Sequence, residues 1–382
     1  MQLQAGRLRL SKRISDLAPS PIREILAVID RPGMVSFAGG LPAAETFPEM
    51  NIGSMPREWL QYGPTEGEAA LRQQIAAQLR SIGLACTPEQ VLVLSGSQQG
   101  IDLVAKLFVD AGTAVAVESP TYLAALQAFR FFGARFTVFD PRLPDAGRDA
   151  ADPPAFLYTT PTFQNPTGRC YSTGERDHLA GTCDAHGITM FEDDPYRDLV
   201  YDECDRSPIC ARLKRASWIY QGSFSKSLAP GLRLGYLAAS ADLIGPLTHL
   251  KQASDLHSSR LGQWLVLEQL RRSDRPQALA GLVQLYRRKR DAFAAALDEH
   301  LGGLASWESP PGGLFFWLRL HRQIDTRTLL PAAIGRGVAF MPGEPFFADD
   351  RPARGALRLN FSHAADDQMP RGLAILGELL KA

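Results

Sequence analysis

Between residues 91 and 192 the chain repeats one device: a short run that is apolar throughout, followed or preceded by a stretch with helical spacing. Val91–Leu94 leads into a predicted helix over Gln98–Val109, and Ala114–Val117 into one over Tyr122–Phe132. Phe136–Phe139 and Phe156–Tyr158 are further apolar runs, and a helix over Glu175–His186 precedes the run Ile188–Glu192. A strand that is apolar at every position has to be covered on both faces. Intervening helices supply both the cover and the crossover that parallel strands require. The expected fold class is therefore α/β, with a mainly parallel sheet sandwiched by helices.

Trp218–Tyr220 and Leu232–Leu237 read as two more strands. From Ala241 the pattern changes to long helical stretches reaching about His300. The strands Gly313–Leu320, Val338–Met341 and Ala356–Phe361 follow, with a last helix near Asp367–Leu380. That second set predicts a smaller α+β unit. The Gly/Pro-rich segment Pro32–Pro48 reads as a loop crossing back to the large unit. The expected division is an N-terminal segment over 1–48 that shares the small unit, a large unit over 49–283, and a small C-terminal unit over 284–382.

Composition narrows the partners. Across 382 residues, 41 acidic side chains balance 41 basic ones, so nothing favours nucleic acid or an anionic membrane surface. The basic run Arg287-Arg288-Lys289-Arg290 lies in a helical pattern and reads as a solvated face. No run approaches the roughly 18 apolar residues a membrane helix needs, and the N-terminus lacks a signal-peptide pattern. The five cysteines contain no Cys-x-x-Cys pair, so reduced thiols in the cytoplasm are expected. Cys183 and His186 read as part of a helix ending at Gly187, and no metal site is expected.

Four motifs stand at the ends of predicted strands. Ser95-Gly96-Ser97-Gln98-Gln99-Gly100 opens a helix, where free N–H groups and the helix dipole attract an anion; a plain cap by Ser97 is the alternative. Asn165-Pro166-Thr167-Gly168 is a turn that would set the Asn165 amide in the cleft beyond a strand's carboxyl end, where α/β sheets bind ligands. In Phe191-Glu192-Asp193-Asp194-Pro195-Tyr196, carboxylates close a buried strand and need partners, such as a cationic ring nitrogen. Gly222-Ser223-Phe224-Ser225-Lys226 with Arg233 suits a phosphorylated aldehyde: the amine can condense with the aldehyde, and the serines and arginine can hold the phosphate.

Taken together and in this order, the motifs resemble the fold-type I pyridoxal-phosphate aminotransferases of class I/II over almost the whole chain. Ser36-Phe37-Ala38-Gly39-Gly40-Leu41-Pro42, Gln61-Tyr62-Gly63-Pro64 and Arg358-Leu359-Asn360-Phe361 are similar to the branch containing α-aminoadipate and kynurenine aminotransferases. The resemblance implies pyridoxal 5'-phosphate as cofactor and Lys226 as the lysine that carries it and moves the proton from Cα. It implies that Asp193 pairs with the pyridine nitrogen, that Asn165 and Tyr196 bond the ring oxygen, and that Tyr122 stacks on the ring. Ser97, Gln98, Ser223, Ser225 and Arg233 would form the phosphate cup. Tyr62 would reach the phosphate of the other subunit, implying a homodimer with shared active sites. Arg358 would grip the substrate carboxylate, Gly39 and Gly40 would let backbone approach the substrate, and Arg23, in the segment Ser20-Pro21-Ile22-Arg23-Glu24, could meet a side-chain carboxylate or simply face solvent. The implied reaction is transfer of an amino group from an L-amino acid to a 2-oxo acid, 2-oxoglutarate being the family's usual acceptor, by a ping-pong route. Elimination, decarboxylation or oxidation with the same cofactor, and a non-catalytic effector-binding module, are the alternatives.

Overall fold

Seven of the apolar runs align in one sheet. In the computed structural model, which describes residues 11–15, 31, 33–143, 153–349 and 355–381, the strands are β1 (Val91–Leu94), β2 (Ala114–Glu118), β3 (Arg135–Phe139), β4 (Phe156–Thr159), β5 (Thr189–Asp193), β6 (Trp218–Ser223) and β7 (Gly235–Ala239). Their order across the sheet is β1-β7-β6-β5-β4-β2-β3. Strand β7 alone runs antiparallel to its neighbours, and the remaining pairings are parallel. The expected α/β class with a mainly parallel sheet is what the chain adopts.

Alternation explains why the runs are apolar throughout. On β1, Val91 and Val93 enter one core with Leu71, Ile75 and Leu79 of the helix Ala69–Ser81, and with Leu179 of the helix Thr173–His186. Leu92 and Leu94 enter the opposite core, with Ile101 and Val104 of the helix Ser97–Phe108 and Phe129 of the helix Leu123–Phe132. Successive side chains point to opposite faces, and both faces are covered. Each fully buried Leu or Val there contributes about 1.5–3 kcal/mol relative to exposure. The helix Thr173–His186 starts on a capping box, in which Ser172 and Glu175 bond each other's backbone N–H. It ends on Gly187 in the left-handed region at φ 67°.

The smaller unit has an antiparallel sheet in the order Met341–Pro342, Ala356–Asn360, Phe315–Leu320 and Ala305–Ser306. Val35–Ser36 pairs in parallel with Val338–Ala339, so the N-terminal segment is stitched to the C-terminal part. The single strand expected over Val338–Met341 is two strands broken at Phe340: its first half pairs with the N-terminal segment and its second half joins the antiparallel sheet. The helical stretch beginning at Ala241 is three helices, Ala241–Asp255, Arg260–Arg271 and Arg275–Leu301. Leu256 at φ 63° stops the first, and the Ser259 side chain caps the second. The boundary expected at 283/284 falls inside the third, so one unbroken helix crosses it.

The basic run on that third helix corrects the sequence reading. Arg287 and Arg288 face solvent, but Lys289 and Arg290 are buried. Lys289 Nζ donates to Ala364 O at 2.9 Å, and Arg290 Nη1 donates to Pro310 O at 3.0 Å and pairs with Asp202. A helix this long turns part of any consecutive run inward, and aliphatic stems let both cations cross apolar ground to buried carbonyls.

Candidate active site

The carboxyl ends of β4, β5 and β6 open into a cleft of about 220 Å³. Each parallel strand stops there and hands the chain to a loop whose side chains face the cavity. Lys226 sits in the loop after β6, with Nζ donating to Gly40 O at 2.7 Å and lying 5.9 Å from the centre of the Tyr196 ring. Burial, then the nearby charges of Arg358 and Arg233, push its pKa down to about 8. A substantial fraction of the amine is therefore neutral, hence nucleophilic and basic, near physiological pH.

Asp193, the last residue of β5, is buried. One carboxylate oxygen accepts from Tyr158 Oη at 2.8 Å and the other from Gln221 Nε2 at 2.9 Å. Burial raises its pKa to about 6 against those two bonds. Gln221 reaches this position because residue 100 is glycine: a Cβ there would lie 1.9 Å from Gln221 Oε1. Tyr122 and Tyr196 also line the cleft, and burial raises both phenols.

Arg358, central in the strand Ala356–Asn360, is buried between aromatic faces, with its guanidinium carbon 4.2 Å from the Phe315 centroid and 5.2 Å from that of Phe346. Nη1 donates to Asn165 Oδ1 at 2.8 Å and Nη2 to Ala38 O at 2.6 Å, while Nε has no partner. Burial lowers its pKa to about 10, which leaves it cationic at neutral pH. Asn165 Nδ2 lies 3.5 Å from Tyr196 Oη. Buried Glu118, at the end of β2, braces the Asn165 turn: it accepts from Gln164 Nε2 at 2.7 Å, Thr159 Oγ1 at 2.9 Å and the Thr160 backbone at 3.2 Å.

The helix Ser97–Phe108 presents its N-terminus to one end of the cleft. Gly96 precedes it at φ 86° and ψ 155°, a region essentially reserved for glycine. A Cβ on Gly96 would come 2.4 Å from an Arg233 guanidinium nitrogen, so the cation lies across the helix start. Ser97, Gln98, Ser223 and Ser225 line the same end. Helix dipole, fixed cation and hydroxyls converge where a dianion would be held.

Twelve of the residues expected from sequence thus line one cleft: Gly40, Ser97, Gln98, Tyr122, Asn165, Asp193, Tyr196, Ser223, Ser225, Lys226, Arg233 and Arg358. Gly39 lies beside them, and a Cβ there would press on Leu41. Tyr62 is outside the cleft, 76 % exposed, with its ring edge-on to His257. Arg23 lies outside the described residues.

The profile described as "Aminotransferase class I and II" matches residues 40–376. The chain belongs to the class I and II aminotransferases. A 2-aminoadipate transaminase of Thermus thermophilus is 37 % identical over 95 % of this chain and 94 % of its own length. Aromatic-amino-acid aminotransferase 1 of Thermococcus litoralis is 34 % identical over 100 % of this chain and 97 % of its own. The crystal structure of an α-aminoadipate aminotransferase of Thermus thermophilus, complexed with N-(5'-phosphopyridoxyl)-L-leucine, superposes with a TM-score of 0.86 at 36 % identity, covering 97 % of each chain. The fold-type I class and the aminoadipate/kynurenine branch expected from sequence are those of these relatives, and the chain is a pyridoxal-phosphate-dependent aminotransferase.

Several contributors to this aminotransferase cleft escaped the sequence reading, among them the Phe315 and Phe346 rings about Arg358 and the Gly40 carbonyl on Lys226. Tyr158 and Gln221 hold Asp193, Glu118 braces the Asn165 turn, and the Ala38 carbonyl anchors Arg358. Gln221 and Glu118 did carry a signal, because each is a polar residue ending or interrupting an apolar strand. Tyr158 is indistinguishable in sequence from a core aromatic, and a backbone carbonyl has no sequence signature at all.

Proposed function

We propose that this aminotransferase moves the amino group of an L-amino acid to 2-oxoglutarate in two half-reactions of a ping-pong cycle. The observation that carries the reading is a buried amine of depressed pKa sharing one cleft with a buried carboxylate and a buried arginine. The cleft fits pyridoxal 5'-phosphate. Lys226 would bind it covalently, Asp193 would face its ring nitrogen, and Asn165 and Tyr196 its ring oxygen. Tyr122 would cover the ring, and Ser97, Gln98, Ser223, Ser225 and Arg233 would hold the phosphate. When bound, the coenzyme supplies an aldehyde carbon for the amino group and a ring that accepts the electron pair left as Cα loses its proton.

The protein's own groups do the rest. Arg358 keeps an unpartnered Nε–H and spare Nη protons with which to fork a substrate carboxylate. Phe315 and Phe346 exclude water from that pair and strengthen it. Gly39 and Gly40 keep side chains out of the approach path. Lys226, buried and of depressed pKa, would hold and move the proton at the substrate Cα. Asp193 stays ionised beside a cationic nitrogen, braced by Tyr158 and Gln221.

Two expected effects follow from this arrangement. Alanine at Gly96 adds a Cβ against Arg233 and strains the backbone by about 1–3 kcal/mol. The coenzyme Kd measured by titrating apoenzyme should rise by roughly 10-fold or more; an unchanged Kd would remove Gly96 and Arg233 from the phosphate site. Lysine at Arg358 keeps a charge but loses the planar fork. At about 2–3 kcal/mol for a buried charged pair, KM for the amino acid should rise about 30- to 150-fold with a smaller change in kcat. A KM within threefold of the parent would place the carboxylate elsewhere.

Exposed large apolar side chains, Ile52, Leu60, Tyr62, Leu256 and Leu261, support a homodimer in which Tyr62 reaches the partner's phosphate; sedimentation velocity tests it. Among the described residues no helix is long and apolar enough to cross a membrane, and we assign the enzyme to the cytoplasm. Arg23 is proposed to meet a substrate side-chain carboxylate. The deciding experiment adds amino acids singly to coenzyme-loaded protein. A productive donor bleaches the visible coenzyme band and releases its 2-oxo acid, and 2-oxoglutarate restores the band while becoming glutamate. Release of ammonia, carbon dioxide or peroxide in place of that exchange would replace transamination with another reaction of the same cofactor.

A further inference from the structure

The five cysteines fall into two groups. Cys86, Cys183 and Cys210 are buried, and burial holds their thiols protonated, up to about 11 for Cys86, about 12 for Cys183 and well above the ordinary value for Cys210. Cys170 and Cys204 are only half-buried. The segments carrying them run side by side behind the cleft. Cys170 Sγ donates to Asp205 O at 3.2 Å, Thr173 Oγ1 to Asp205 Oδ2 at 2.7 Å, and Arg176 Nη1 to Ser207 O at 3.0 Å. Cys204 immediately precedes Asp205, whose carbonyl takes the Cys170 bond, which sets the two cysteines side by side. Arg176, wholly buried and fixed by the carbonyls of Pro161 and Tyr171, brings Nη2 to 3.5 Å from the same sulfur.

These contacts treat the two thiols unequally. The neighbouring Cys204 and, against the cost of burial, the Arg176 guanidinium at 3.5 Å favour the Cys170 thiolate and lower its pKa, while the neighbouring Cys170 and burial raise that of Cys204. One sulfur is prepared as a nucleophile and the other sits beside it as a protonated partner. The amino-transfer chemistry uses neither.

We propose that Cys170 and Cys204 form a redox modification site, in which Cys170 reacts with a hydroperoxide and Cys204 closes a disulfide with it. The Cys170 thiolate gives an electron pair to the terminal peroxide oxygen. The O–O bond breaks, the alkoxide leaves and takes up a proton as an alcohol, and Cys170 becomes a sulfenic acid, oxidised by two electrons. The Cys204 sulfur then attacks the Cys170 sulfur. The S–S bond forms as the S–O bond breaks, and hydroxide leaves with the Cys204 proton as water. In sum, two thiols and one hydroperoxide give a disulfide, an alcohol and water. The bond ties the segment following the Asn165 turn to the loop beyond Tyr201.

The test treats coenzyme-loaded wild-type protein with a small molar excess of cumene hydroperoxide and counts thiols. Titratable thiols should fall from five, the number in the chain, to three, five less the bonded two. Peptide mass spectrometry should show a Cys170–Cys204 cross-link two hydrogens lighter than the thiols, and dithiothreitol should restore all five. Cys204→Ser should stop at a sulfenic acid on Cys170 that dimedone traps, and Cys170→Ser should slow peroxide consumption at least tenfold. A thiol count that stays at five overturns the proposal. So does oxidation falling first on Cys86, Cys183 or Cys210, or undiminished trapping at Cys204 in Cys170→Ser. Because the readout is thiol chemistry, failure here leaves the amino-transfer reading intact, and the converse also holds.

Discussion

Alanine at Lys226 is expected to lower turnover by about 10⁴-fold, the upper range for loss of a positioned acid–base group. The amine occupies a place nothing else can fill: it is buried, held by the Gly40 carbonyl, and depressed in pKa by burial and by two arginines. No other described lysine lines the cleft. The phosphate end is untouched by the substitution, so the coenzyme should still bind, but reversibly and with a shifted visible spectrum. The measurement is a single-turnover half-reaction with the best donor, repeated with added methylamine. A free amine should restore part of the rate by entering the space the side chain vacates. Wild-type turnover in Lys226→Ala would end the assignment of proton transfer to this residue.

The second large effect belongs to Asp193→Asn. The replacement keeps the shape but removes the charge proposed to face the coenzyme nitrogen, and it gives one of the two donors, Tyr158 Oη or Gln221 Nε2, another N–H to face. Losing a preorganised electrostatic partner in a dry site typically costs 10²–10³-fold in kcat, and a reduction of that order in the rate of Cα proton loss is expected. Because burial raises the carboxyl to about 6, the charge is present above that pH and is lost as pH falls through it. A cationic partner moves the midpoint lower. The acid limb of kcat/KM in the parent should therefore lie near or below pH 6 and be absent in Asp193→Asn. A variant within tenfold of the parent, with the acid limb retained, would show that another group holds the ring nitrogen.

The sheet was legible because most of its strands are apolar on both faces, a pattern that strands covered on both sides require. The reversal of β7 was not, because its composition resembles that of its neighbours and direction is set by the connection over 224–234, which lacks the crossover helix that usually joins parallel strands. The break at Phe340 was hidden for a related reason: the residues on either side are equally apolar, and only tertiary pairing sends the two halves to different sheets. In the cleft, side chains with unusual chemistry for their surroundings could be found, Lys226, Asp193 and Arg358 above all. Supports made from backbone, such as the Ala38 and Gly40 carbonyls, could not, and neither could Tyr158, whose hydroxyl matters only because of what lies opposite. Lys289 and Arg290 misled because charge was taken as a sign of exposure, when helix geometry had already turned them inward.

The guanidinium proposed to meet the substrate belongs to a strand near the end of the chain, yet it is held by a carbonyl at residue 38 and an amide at residue 165. During synthesis on the ribosome, the strands and loops from 91 to 239 emerge long before residue 358 exists. The strands and loops proposed to receive the vitamin can thus be in place while the strand proposed to grip the amino acid is still untranslated. The order of synthesis delivers the proposed coenzyme side of the cleft ahead of its proposed substrate side.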